Sequence, residues 1–201
     1  MYSDGYFCSR DNATPLTQEE KESIKQKWVT LRSELNEPET RNILDAHKWL
    51  MLSPPKDILN DTFLRKLHKM MFGEVWTWAG KYRTTERNIG VSPFQIPMKL
   101  KYLFDDVKFW IEKNTYPEQE IAVRFHHRLV QIHPFPNGNG RISRVMANLC
   151  MNQMKKKPLY WGDCNLTEIS EIRAHYISAL RKADEGDYMD LILFTTKTRN
   201  V

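Results

Sequence analysis

The sequence predicts an all-α domain interrupted by one short β-hairpin, and three observations carry that prediction. Apolar residues recur at three- and four-residue spacing along most of the 201-residue chain. The helical runs are short and broken by Pro, Gly, Asn and Ser, with capping boxes at Thr17/Glu20 and Asn165/Glu168. The helical spacing lapses only between Trp76 and Pro97.

Taken in order, Thr17 opens a helix carrying Ile24, Trp28, Leu31 and Leu35. Pro38 restarts one with Ile43, Ala46, Leu50 and Met51 facing inward, until Ser53-Pro54-Pro55 stops it. Asn60 or Asp61 caps a third, with Phe63, Leu67 and Met70 or Met71 buried before Gly73. Thr84–Val91 and Phe94–Ile96 then read as two short extended pieces around a turn. Leu100, Leu103, Phe104, Val107 and Ile111 mark the next helix, and Ile121, Phe125 and Leu129 one from about Pro117 to Ile132. Ile142, Val145, Met146 and Leu149 line another. Ile169, Ile172, Tyr176 and Leu180 follow the second capping box, Gly186 ends that helix, and Met189–Phe194 closes the fold.

Composition narrows the function. With 41% hydrophobic and 27% charged residues the chain reads as an ordinary globular protein, and it holds no apolar run able to cross a bilayer. Its start lacks the basic-then-apolar order of a secretion signal, so a cytoplasmic protein is expected. Cys8, Cys150 and Cys164 form no CxxC pair, which argues against a disulfide framework or structural zinc. The net charge of +5 is modest and scattered, as at Lys155–Lys157, and argues against a nucleic-acid partner more than for one. A homodimer is left open.

The chemistry concentrates in residues 133–144, His-Pro-Phe-Pro-Asn-Gly-Asn-Gly-Arg-Ile-Ser-Arg, between two amphipathic helices. Gly138 and Gly140 let successive backbone N–H groups turn inward as an anion nest, and the start of the following helix adds its own unpaired N–H groups. Arg141 and Arg144 are three apart, hence neighbours near that helix start, and two guanidinium forks suit a polyphosphate. His133 titrates near neutrality and is the natural general base, while Phe135 pins the loop to the core.

This segment resembles the signature of the Fic family, HxFx(D/E)GNGRxxR. Trp78–Arg83, Phe125–Ile132 and Tyr176–Asp187 also resemble Fic segments, and the pattern most resembles a subgroup called "mobile mystery protein B", associated with mobile elements. The resemblance implies a Fic domain over 28–195, after an N-terminal segment 1–27 and before a tail 196–201. It implies transfer of AMP from ATP to a Ser, Thr or Tyr hydroxyl of a target protein. His133 would deprotonate that hydroxyl, Gly138, Asn139 and Gly140 would hold the α- and β-phosphates, and Arg141 and Arg144 would neutralise the β/γ end. The 84–96 hairpin would be the flap, with Arg87, Asn88, Ile89, Gly90 and Val91 docking the target as an added strand. Asn137 stands where the family carries Asp or Glu to bind Mg²⁺ (or Mn²⁺), and one neutral oxygen makes it a weak ligand.

The same resemblance implies an inhibitory helix over about 17–36. Thr30, Glu34 and Asn36 are similar to the family's (S/T)xxxE(G/N) pattern, although Leu35 departs from it. A Glu34–Arg144 ion pair occupying the γ-phosphate position is the expectation. Three rivals stay open: a Doc-like kinase or a hydrolase using the same nest, a non-catalytic or weakened nucleotide-binding relative, and an interaction protein using the flap edge alone. The kinase is disfavoured because Gly140 stands where such loops carry Lys, and the nucleotide-binding relative is favoured weakly by Asn137. Transfer of another phosphate-containing group stays open as well.

Overall fold

The computed structural model describes residues 18–29, 32–162 and 171–196. Their helices are α1 (Gln18–Ser23), α2 (Asn36–Leu52), α3 (Asp61–Phe72), α4 (Ile96–Lys113), α5 (Glu118–Ile132), α6 (Asn139–Gln153), α7 (Glu171–Asp184) and α8 (Met189–Thr196). Short 3-10 turns at Arg32–Leu35 and Pro93–Gln95 lead into α2 and α4. The all-α prediction therefore holds.

Helices α5 and α6 are the centre. They pack on one another and bury residues on both sides, as a helix flanked by two layers must. One core lies between them and α2, α3 and α4, around Leu64, Leu67, Phe72, Leu103, Phe125 and Ile142. The other lies toward α7 and α8, around Ala122, Ala147, Trp161, Ala179 and Phe194. The loop joining α5 to α6 is residues 133–138, so the motif hangs between the two best-buried elements of the fold.

Local signals explain most boundaries. The Asn60 side chain accepts from Phe63 N at 2.8 Å and caps α3, as its sequence predicts. Helix α2 starts at Asn36, two residues ahead of Pro38, because Pro is tolerated in a first turn where its missing N–H has no partner. Asn42 ties α2 to the end of α3, donating to Met70 O and accepting from Glu74 N. Met51, expected on the inner face of α2, is exposed. Thr17, Thr30, Leu31, the Asn165/Glu168 capping box, Ile169, Cys8, Cys164 and the last five residues of the tail lie outside the described residues.

Two expectations are corrected. The helix drawn from Thr17 to Asn36 is not continuous: α1 ends at Ser23, Ile24 makes an antiparallel bridge with Trp76, and Thr77 N donates to Ser23 O. Backbone pairing and the burial of Ile24 at 1% exposure outweigh the helical spacing, and Trp28 is left 64% exposed. The predicted hairpin over 84–96 has no ladder among the described residues. Two of its carbonyls are taken by one side chain instead, since Arg83 donates to Thr85 O at 3.0 Å and to Val91 O.

Candidate active site

His133 ends α5 in the left-handed region, at φ 52 and ψ 58, a conformation that a non-glycine residue adopts only under constraint. That turn swings the imidazole off the helix axis. Nδ1 lies 3.3 Å from Val130 O. A carbonyl only accepts, so Nδ1 carries the hydrogen and Nε2 is left with its lone pair, the form a general base needs. Burial lowers the His133 pKa, and the cations of Arg83 and Arg87 lower it further, so the ring is neutral at pH 7.

The loop is built around a second histidine that the sequence did not single out. His68 of α3 is fully buried, and its Nδ1 accepts from Gly80 N at 2.9 Å. Nε2 therefore bears the hydrogen and donates to Asn137 O at 3.1 Å. The ring stacks on Phe135 at 3.6 Å between centroids, confirming Phe135 as the pin of the loop. Asn139 clamps the same turn: its Oδ1 accepts from Phe135 N at 2.9 Å and its Nδ2 donates to Phe135 O at 2.7 Å. The Asn139 side chain is thus committed to the loop, and what it can offer a phosphate is its backbone N–H in the first turn of α6.

Gly138 precedes α6 at φ 78, and a Cβ there would stand 2.7 Å from the Phe72 ring. The Asn137 Oδ1 is neutral and accepts from Gly138 N at 2.7 Å, and no cluster of metal-binding side chains exists among the described residues.

The two arginines diverge although they share a helix start. Arg144 is buried and bonds the Tyr176 hydroxyl, which lies 2.8 Å from His126 Nε2. Arg141 lies over the Phe72 ring and meets Glu39 Oε2 at 2.5 Å. Glu39 is held from its other oxygen by Trp76 Nε1 at 2.6 Å. Glu39, 102 positions away in sequence, was not picked out because nothing local marks it. Its negative charge beside the predicted anion nest would oppose phosphate, by about 1 kcal/mol where water screens the pair. Glu39→Gln, which can still accept from Trp76, is expected to tighten inorganic pyrophosphate binding by roughly fivefold in titration calorimetry. Unchanged or weaker binding would assign Glu39 to holding Arg141 in place.

Of the other expected residues, Glu34 lies in the 3-10 turn Arg32–Leu35 and Asn36 opens α2. Arg87, Asn88, Ile89 and Gly90 are exposed on the loop that runs past His133, and Val91 N bonds Ile132 O at 3.3 Å. The structure thus gathers His133, Asn137, Gly138, Asn139, Gly140, Arg141 and Arg144 on one loop and helix start, with the 84–92 segment packed beside His133.

A family model described as "Fic/DOC family" matches residues 58–151, from the residues before α3 to the last turn of α6. The protein adenylyltransferase fic-1 of Caenorhabditis elegans is 29% identical over 155 residues, 73% of this chain and 28% of that protein. Its namesake in Caenorhabditis briggsae is 32% identical over 122 residues, 59% and 23% of the two chains. The chain thus spans about a quarter of the length of these curated relatives. A fragment of Fic-1 from C. elegans has a similar structure, with TM-score 0.61 at 27% identity over 78% of this chain and 46% of that one. The N-terminal FIC domain of Bep8 from Bartonella sp. 1-1C reaches TM-score 0.68 at 15% identity, over 87% and 88% of the two chains, a likeness of fold. Motif loop, flanking helices and matched span coincide, and the chain carries a domain of the Fic/DOC family.

Proposed function

We propose that the protein transfers the AMP moiety of ATP to a Ser, Thr or Tyr hydroxyl of a target protein docked along the 84–92 loop. The observation that carries this reading is the His133 ring itself. Its Nδ1 is tied to Val130 O and its Nε2 is free to take a proton, at the mouth of a glycine turn followed by a helix start with two arginines. In the reaction the acceptor oxygen bonds to the α-phosphorus and its proton passes to His133 Nε2. The bond from the α-phosphorus to the bridging oxygen breaks, and pyrophosphate leaves. Gly138, Asn139 and Gly140 offer backbone N–H groups to the phosphates, and Arg141 and Arg144 balance the charge of the departing pyrophosphate. The relatives named protein adenylyltransferase support this assignment. Glu34 restrains the wild type by occupying Arg144 in place of a phosphate.

ATP labelled at the α- or the γ-phosphate tests the proposal. Label from the α position on protein supports it. His133→Ala is expected to reduce that label by about 10²–10⁴-fold, the usual worth of a general base. Glu34→Gly is expected to raise it. Label from the γ position alone means a kinase. The neutral Asn137 and the Glu39–Arg141 pair favour one second reading, a nucleotide-binding relative without transfer. ATP binding without label from either position, in wild type and Glu34→Gly alike, would establish it.

A further inference from the structure

Arg83 is 3% exposed, yet all the acceptors of its guanidinium are backbone carbonyls from two separate segments. Nε donates to His133 O at 2.6 Å and Nη2 more distantly to Ile132 O at 3.4 Å. On the other side, Nη1 donates to Thr85 O at 3.0 Å and Nη2 to Val91 O. The main chain repeats the join, with Arg83 N donating to Pro134 O at 3.0 Å and Val91 N to Ile132 O at 3.3 Å. Gly90 makes the approach possible: at φ 111, a Cβ on it would stand 2.6 Å from Arg83 Nη2 and 2.7 Å from His133 Cβ. One planar fork therefore holds both ends of the exposed loop and the peptide of His133. A lysine, with its three donors on a single nitrogen, cannot span those directions.

We propose that Arg83 is a positioning residue that locks the exposed 84–92 loop to the His133 peptide, so that the docked acceptor and the base meet in one register. Its consequence for catalysis rests on the AMP-transfer reading; the mechanical coupling does not. Arg83 bonds none of Gly138, Asn139, Gly140 or Arg141, so the nucleotide seat is outside its reach. The groups facing His133 are Val130 O from α5 and the cations Arg83 and Arg87 from the loop side. Loss of one cation therefore moves the ring's titration upward.

Arg83→Gln, Arg83→Lys and Gly90→Ala test the coupling by amide hydrogen exchange and NMR titration of the His133 ring. Arg83→Gln is expected to speed exchange across 84–92 by about tenfold or more while α2 and α3 keep their protection, and to raise the His133 midpoint. Arg83→Lys is expected to loosen the loop similarly. With α-labelled ATP, kcat falls about tenfold or more, KM for ATP stays within about twofold, and the acid limb of the rate profile moves to higher pH. A loop as protected as in the wild type, an unmoved His133 midpoint, or loss of protection spread evenly over the domain would overturn the proposal. If Arg83→Gln does not fold, Gly90→Ala decides by the same two measurements, since its methyl displaces the fork from outside the core. A wild type that transfers no label refutes the AMP-transfer reading, while exchange and titration still decide the coupling.

Discussion

Gly138→Ala is expected to destabilise the domain by about 2–5 kcal/mol and to abolish pyrophosphate binding, whereas Gly140→Ala leaves stability unchanged or slightly higher. The positive φ of 78 at Gly138 costs an L-residue about 1–2 kcal/mol. The new methyl would also stand 2.7 Å from Phe72, a fully buried ring packed at a tilt against His68 and Trp78, and overpacking there adds about 1–3 kcal/mol. Relaxing that clash means moving the turn that Phe135 and Asn139 clamp, and with it the start of α6. Gly140 is different. It sits inside α6, its nearest neighbour to a new Cβ is Arg144 Nη1 at an ordinary 3.7 Å, and alanine is the better helix former. Urea denaturation paired with pyrophosphate calorimetry separates the two. Loss of affinity in a fully stable Gly140→Ala would place that glycine against the ligand, and equal destabilisation by both substitutions would contradict the geometry.

The two glycines also show how far the sequence could be read. Both entered as equal members of an anion nest, because spacing alone cannot separate a φ requirement from a need for open space. Helical periodicity placed α2 to α6 well, since each carries its own apolar face and breaks locally. What failed were features decided by distant partners. Ile24 bridges to Trp76, and this ended α1 early despite good helical spacing. The 84–96 segment has extended-chain residues, but its Thr85 and Val91 carbonyls accept from Arg83 and Val91 N bonds Ile132 O, and no cross-strand ladder forms among the described residues. Within the site, His133, the glycines and the arginines were legible because the chemistry clusters in twelve residues. Glu39, His68 and Arg83 were not: each is an ordinary residue of its own segment that acquires its role only by reaching the loop through space.

The buried histidines predict a domain whose stability begins to fall below about pH 6.5, above the ordinary carboxylate range. Desolvation pushes His68 down to about 3 and His126 well below its ordinary value, and it also lowers His47, His127 and His133. For a group depressed in the fold, the unfolded chain binds the proton first. Stability is therefore complete above pH 6.5 and falls as the pH drops below the unfolded value toward the folded one. His68 is fully buried and contributes a slope of up to about 1.4 kcal/mol per pH unit, or roughly 2.5 kcal/mol between pH 5.5 and 3.5, and the buried His126 adds to the loss in the same direction. Losses of this sign are a large fraction of the stability of an ordinary domain, so a marked fall in stability between pH 5.5 and 4 is the expected result. The measurement is the urea midpoint at pH 7.5, 5.5 and 4.5, with His68→Gln as control. The substitution is expected to cost stability at neutral pH, because Gly80 N and Asn137 O lose their fitted partner, and to flatten the slope. A midpoint constant from pH 7.5 to 4.5, or a slope unaltered in His68→Gln, would mean that His68 is protonated in the fold. Its Nδ1 could then no longer accept from Gly80 N, and the tautomer that holds the Asn137 carbonyl would have to be reassigned.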